Sequence, residues 1–310
     1  MYKADVIVLN HLGGGTTVRV HHLPAVGETV MGFDWKICRD VAKGGNTAIA
    51  LSRLGLRVAI ISKVGNDTAG RRDKQWLDDE SVDTSAVFMS DDVSTGQGIM
   101  LIDDKGRNMI VTGESSTKML SQDEVKTSLE NFRSPKFFVS GFEIAPSLAL
   151  DAAKFAKSKG LKTVLNPSPV APLPCIDYID YLFVNELEAR LLLDINVDDN
   201  VDPKILCKQL HERYHACCTI VTLGEKGSAA YTTDQKDAYH FYPAIEVNAV
   251  DTAGAGDGFL AAVVYSLVNG KPIQEALDWA NRYAAYTVTK SGGFDAYPTL
   301  EQLHYFTGKA

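Results

Sequence analysis

Paired cysteines, an excess of basic charge and long apolar runs are all missing from this 310-residue chain, and each absence removes a class of protein. The five cysteines (38, 175, 207, 217 and 218) are odd in number and lack zinc-site or disulfide-framework spacing. Reduced thiols in a cytoplasmic protein are therefore expected. Net charge is −8 with the seven histidines counted neutral, which argues against a nucleic-acid backbone or an anionic membrane as the main partner. No segment reaches the roughly 18 apolar residues of a membrane span, and Met1 to Asp5 lead straight into a strand without a signal-type apolar core. Export is not expected. There is also no Gly-x-x-x-x-Gly-Lys-Ser/Thr phosphate loop, and the glycines at 254, 256 and 258 do not follow dinucleotide spacing.

With 45% apolar and 23% charged residues, the composition is that of an ordinary globular protein. Its most informative stretch is Val250-Asp251-Thr252-Ala253-Gly254-Ala255-Gly256-Asp257-Gly258-Phe259, which runs into the apolar segment 260–268. Three glycines and two alanines leave the backbone nearly bare where a helix must begin, so unpaired N–H groups can face one anion. Asp257 sits inside that cradle. Taken singly, an acid in a first helical turn is usually only a dipole partner or cap. Beside an anion cradle it suits a different task, receiving the proton of a hydroxyl that attacks phosphorus.

The rest of the chain reads as a scaffold for that stretch. Residues 6–9 form a buried strand, Gly13 to Gly15 a loop, and 17–20 and 28–31 short strands broken by Pro24 and Gly27. Asn46 is expected to cap a helix ending at Gly55, followed by a strand over 58–64 and a helix over 67–77. A hairpin spans 99–102 and 108–111. From Phe137 onward strands and helices alternate, which implies a parallel sheet covered on both faces. Polar residues follow several predicted strands at their carboxyl ends: Ser140 with Glu143, Asn166, Asn185, and Thr222 with Gly224. That edge is where open α/β sheets bind ligands.

With these residues in place, the chain resembles the ribokinase-like (PfkB) carbohydrate kinases along nearly its whole length. Residues 251–257 resemble that family's strongest signature, and Lys43-Gly44-Gly45-Asn46 its amino-terminal one. The resemblance implies a three-layer α/β/α sandwich with a mostly parallel central sheet. It also implies one kinase domain over 1–310, with a β lid from about 11–40 and 95–112. It makes Asp257 the catalytic base and the backbone of Gly254, Ala255 and Gly256 the anion hole. Gly13, Gly15, Lys43, Gly44, Gly45, Asn46 and Glu143 become sugar contacts. Asn185, Thr222, Gly224, Gly227, Gly256 and Asn281 become nucleotide contacts, with Asn185 and Glu188 serving magnesium through its water shell. Asp251, Ala253, Thr287, Lys290 and Gly292 match a monovalent-cation site, expected to take potassium, although Ala296 stands where many relatives carry a side-chain oxygen.

The implied activity is ATP-dependent phosphorylation of a sugar hydroxyl. A nucleoside kinase, a sugar-acid kinase of the keto-deoxy-gluconate type and a non-catalytic sugar-binding regulator are the alternatives. The lid implies a homodimer. One departure lies at the sugar end: Gly13 and Gly15 occupy positions where ribokinase carries an Asn and an Asp. Either the bare loop makes room for a larger substrate, or His11 and Arg19 supply replacement contacts.

Overall fold

The computed structural model describes residues 2–197, 199–233, 238–306 and 308. The chain opens with β1 (Tyr2–Lys3), β2 (Val6–Leu9), β3 (Gly14–Val20) and β4 (Gly32–Ile37), then α1 (Ala42–Arg53). Next come β5 (Val58–Gly65), α2 (Thr68–Asp79), β6 (Asp83–Ser90), β7 (Gln97–Ile102), β8 (Asn108–Thr112), α3 (Gln122–Asn131) and β9 (Phe132–Arg133). The alternating part holds β10 (Phe137–Gly141), α4 (Pro146–Ser158), β11 (Lys162–Asn166), β12 (Tyr181–Asn185), α5 (Glu186–Leu192), α6 (Pro203–Tyr214) and β13 (Cys218–Thr222). It closes with β14 (Ser228–Thr232), β15 (Ala238–Tyr242), α7 (Ala255–Val268), α8 (Ile273–Val288) and α9 (Leu300–Phe306).

Nine strands form the main sheet in the order β15-β14-β13-β12-β11-β10-β2-β5-β6, parallel from β13 to β6. The last two strands, β14 and β15, run antiparallel. Side chains alternate across a strand, and both faces here are apolar. In β2, Val6 and Val8 join a cluster with residues of α1, α7 and α8, while Ile7 and Leu9 join another with α4 and α6. Those two clusters are the interfaces of a three-layer sandwich. Strand order reverses between β2, which continues to β5, and β10 on its other side. Such a switch point opens a crevice at the carboxyl edge.

The smaller sheet has the order β4-β3-β7-β8, with β3 parallel to β7 and Gly14 and Gly15 opposite Gln97 and Gly98. Three local expectations are corrected. Gly14 and Gly15 belong to a strand rather than a loop. Residues 28–31 are not a strand, because Glu28 folds back onto the Ala25 N–H and His22, and pairing resumes at Gly32. Asn46 does not cap α1. That helix starts at Ala42, whose N–H is held by the Asp40 carboxylate at 3.0 Å, so Asn46 lies one turn inside.

Candidate active site

The start of α7 shows which glycines serve packing and which leave space. Gly254 has φ +73°, a left-handed conformation that favours glycine, and a Cβ there would lie 2.6 Å from the Tyr297 hydroxyl. That hydroxyl donates to the Gly254 carbonyl at 2.9 Å. Gly258 is pressed against the rings of Tyr283 and Tyr297. Gly256 is different, since a Cβ there would meet nothing within 4 Å. Ala255 N–H donates to the Thr252 carbonyl, whereas the N–H groups of Gly254, Gly256 and Asp257 find no acceptor among the described residues. The helix therefore opens onto free space with unpaired donors, the arrangement that receives an anion.

Asp257 lies in that first turn with its side chain only 12% exposed. Its carboxyl is pushed up to about 6, first by burial, against the pull of the nearby Lys43 ammonium; the Asp40 carboxylate raises it further. Lys43 Nζ stands 3.8 Å from one Asp257 oxygen, and Asn46 Nδ2 donates to the other at 3.4 Å. Asn46 also donates to Asp40 at 3.1 Å and accepts from the Val41 N–H at 3.2 Å. The amino end of α1 is thus pinned beside that of α7. Glu143, just beyond β10, accepts from the Lys43 N–H at 3.0 Å and is pushed up to about 8 by burial and by the charge of Asp257. At neutral pH it is a carboxylic acid, able to donate as well as accept.

Gly44 and Gly45 are forced by packing: a Cβ on Gly44 would sit 2.6 Å from Asn10 Cβ, and one on Gly45 2.6 Å from a Val41 methyl. Gly13 and Gly15 give a correction. A Cβ on Gly13 would lie 2.4 Å from the Gly96 carbonyl oxygen and 2.6 Å from His11 Nε2, and one on Gly15 3.2 Å from the Gly98 oxygen. The glycine run does not enlarge the sugar end, because β7 and the His11 ring fill that space. Arg19 lies further along β3, beyond these residues, and pairs with Ile102 and Phe33.

At the carboxyl end of β12, Asn185 and Glu188 close a capping box on α5, with Asn185 Oδ1 accepting from Glu188 N–H at 2.8 Å and the Glu188 carboxylate from Asn185 N–H at 2.9 Å. Among the described residues one Glu188 oxygen has no partner, and the charge of this residue bears on both Lys43 and Asp257. Thr222 ends β13, and Gly224 and Gly227 form the turn to β14. Gly227, at φ +115°, is demanded by packing, since a Cβ would lie 2.0 Å from the Tyr242 carbonyl oxygen. Asn281, buried on α8, donates to that same carbonyl at 3.2 Å. Asp251 and Ala253 are drawn against the end of α8 by the Val250 and Asp251 N–H groups, which both donate to the Val288 carbonyl. Thr287, Lys290 and Gly292 lie at or just past that end.

Sequence reasoning missed Asn10, Asp40 and Tyr297. Asn10 follows β2 at the carboxyl edge, so the rule applied to the other strands would have found it; its amide occupies the space a side chain on Gly141 would need. Tyr297 carries no local signal, because its partner Gly254 is distant in sequence; Asp40 holds Ala42 and Asn46 nearby, but its effect on Asp257 spans the chain.

A helix-start anion cradle, a buried carboxylate and a polar crevice at the switch point define a phosphotransferase acting on an alcohol. The pfkB family carbohydrate kinase profile matches residues 43–300. The chain is 31% identical over 306 residues to the ribokinase of Mus musculus, covering 97% of this chain and 94% of that one. It is 29% identical over 290 residues to the deoxyribokinase of Salmonella typhi, covering 92% and 93%. The structure of Arabidopsis thaliana ribokinase complexed with ribose and ATP superposes with a TM-score of 0.87 at 23% identity, covering 98% of each chain. This chain belongs to the pfkB family of carbohydrate kinases, phosphotransferases that act on a sugar hydroxyl.

Proposed function

We propose that the protein transfers the γ-phosphoryl group of ATP to a hydroxyl of a five-carbon sugar, with Asp257 as the proton acceptor. The observation that carries this is the pairing of a buried Asp257 with the open helix start at Gly256. A nucleophilic hydroxyl between them has its proton next to a carboxylate and its incoming phosphoryl group next to unpaired amides. Asp257 takes the proton as the new bond forms, because a group near 6 cannot ionise a free alcohol beforehand. The amides of Gly254, Gly256 and Asp257 stabilise charge on the phosphoryl oxygens, and Lys43 keeps Asp257 ionised. Asn46 and Glu143 hold sugar hydroxyls. Asn281 shapes the adenine pocket by fixing the chain at Tyr242.

Magnesium needs only one or two protein oxygens beside the phosphates, and the unpartnered Glu188 oxygen fits it through water, with Asn185 fixing the helix that carries it. When bound, the ion neutralises phosphate charge. Potassium fits the carbonyls of Asp251, Ala253, Thr287, Lys290 and Gly292, which two segments bring together. We assign a single catalytic domain over 1–310, with the smaller sheet as its lid. That sheet exposes Trp35 (62%), Ile37 (57%), Ile99 (38%) and Val111 (61%) on one face, an apolar surface suited to a second copy of the chain. Among the described residues no helix is long and apolar enough to cross a membrane, and all five cysteines are free, which supports a cytoplasmic setting.

The test is sugar-dependent ADP formation over a panel of pentoses, hexoses, nucleosides and sugar acids with magnesium and ATP. Turnover of a pentose that is lost in Asp257→Ala supports the reading. Ligand-induced thermal shifts without ADP from any candidate would instead make the protein a sugar-binding regulator.

A further inference from the structure

We infer that His11 determines specificity at the sugar end, its Nε2 engaging one hydroxyl of the acceptor where the family pattern has two side chains on positions 13 and 15. This rests on the kinase reading above and deepens it. His11 follows β2 at the switch point, and its carbonyl oxygen would lie 2.8 Å from a Cβ on Gly44, so its backbone abuts the sugar-binding end of α1. Its ring is turned toward Gly13 and Gly96: added Cβ atoms there would lie 2.6 Å from Nε2 and 2.8 Å from Cε1. A side chain on position 13 and the imidazole are mutually exclusive occupants of one space, while position 15 lies against the backbone of Gly98. On the opposite face of β3, a Cβ on Gly14 would meet Arg72. Alternation along the strand puts Gly15 on the face away from Arg72, and the His11 ring lies against Gly13 just before the strand begins.

The ring is held by its other nitrogen. Nδ1 lies 3.0 Å from both the Thr117 and the Ser115 hydroxyl oxygens. Thr117 donates its own proton to the Lys63 carbonyl and so can accept from Nδ1, while Ser115 can donate to it. Nδ1 is satisfied in either tautomer, and Nε2 can meet a sugar hydroxyl as acceptor or donor. Among the described residues no protein group bonds Nε2, although the ring is partly exposed. Burial lowers His11 to about 4, so the group presented is a neutral imidazole. A carboxylate with two oxygens can bridge vicinal hydroxyls; one ring nitrogen holds only one. The expected acceptors are neutral pentoses, including those that lack one of the vicinal ring hydroxyls.

The experiment measures kcat/KM of the wild type and of His11→Ala for D-ribose, 2-deoxy-D-ribose and 3-deoxy-D-ribose. On ribose, His11→Ala should lose on the order of 10-fold to 100-fold, mainly through the sugar KM, with the ATP KM unchanged. On the analogue that lacks the recognised hydroxyl, the same substitution should cost less than about 3-fold, because the partner atom is already gone. His11→Asn, a smaller polar group, serves as a second variant should the alanine fail to fold, and should give the same pattern at reduced size. Thr117→Val loosens the ring while keeping Nε2, and should preserve the order of preference among the three sugars. An equal loss on all three sugars, or an unchanged ribose KM in folded His11→Ala, overturns the assignment. Absence of ADP with the wild type on every pentose overturns the kinase reading, and is recognisable because no variant is involved.

Discussion

Replacing Lys43 by Met should move the acid limb of turnover to higher pH. Asp257 works as an acceptor only when ionised, so activity is present above its pKa and lost as pH falls through it. Burial raises that group from 3.8 to about 6, with Lys43 pulling the other way from 3.8 Å. At that distance two unit charges interact by about 4 kcal/mol at an effective dielectric near 20, and by about 2 kcal/mol at twice that value. The Lys43 side chain is 37% exposed, so the lower figure applies after screening by solvent. At roughly 1.4 kcal/mol per unit, losing the cation should raise Asp257 by about 1 to 2 units, carrying the limb from near pH 6 to between about 7 and 8. The assay is kcat/KM for the sugar, followed by ADP release across about pH 5 to 9, which reports groups of the free enzyme. Lys43→Arg should hold the limb near its original place. A limb that stays put in Lys43→Met, or one near pH 4 in the wild type, would refute the electrostatic picture of this site.

Asp257→Asn should lower the rate by roughly 10²–10⁴ while stabilising the fold. Between pH 3.8 and about 6 the folded carboxyl keeps a proton that the unfolded one has lost, so stability falls as pH rises through that window. Urea titration at neutral pH should show a gain of about 1–3 kcal/mol, and no gain would contradict the burial argument. Glu143→Gln should change the sugar KM less than about 5-fold at pH 7, since the acid is already protonated there; a loss above about 100-fold would show that it acts as a carboxylate. Tyr297→Phe should reduce kcat several-fold and stability by about 0.5–1.5 kcal/mol, through the lost hydrogen bond to the Gly254 carbonyl, which still accepts from the Gly258 N–H, with the ATP KM kept. Gly256→Ala should match or exceed the wild type in thermal stability, helped by up to about 1 kcal/mol of helix propensity, yet lose turnover because the methyl enters the cradle. Full activity in that variant would mean no ligand approaches there.

Much of this was legible in the chain because periodicity and punctuation are local. The alternation after Phe137, the glycines at the start of α7 and the segments of the smaller sheet each announce themselves within about ten residues. The failures have a common cause. Asn46 looked like a cap because the cap rule sees one side chain, whereas Asp40 holds the Ala42 N–H and moves the helix start upstream. Gly13 and Gly15 looked like open space because a missing side chain says nothing about what backbone comes close, here Gly96 just before β7 and Gly98 within it. Gly227 and Asn281 match a nucleotide pattern in the sequence, and what only the fold reveals is that both meet the Tyr242 carbonyl, a contact spanning distant parts of the chain.

α1 carries Lys43 and Asn46 at one end, and at the other Arg53, which donates to the carbonyls of Phe294 and Tyr297 at 2.8 Å while paired with Glu80. Tyr297 in turn grips Gly254. A single rigid rod therefore touches Asp257 directly from its front and, through one tyrosine, the amides beside Asp257 from its back. In the proposed reaction, acceptor alcohol and travelling phosphoryl are gauged from the same beam, so a tilt of that beam would displace both together and leave the gap between them nearly constant.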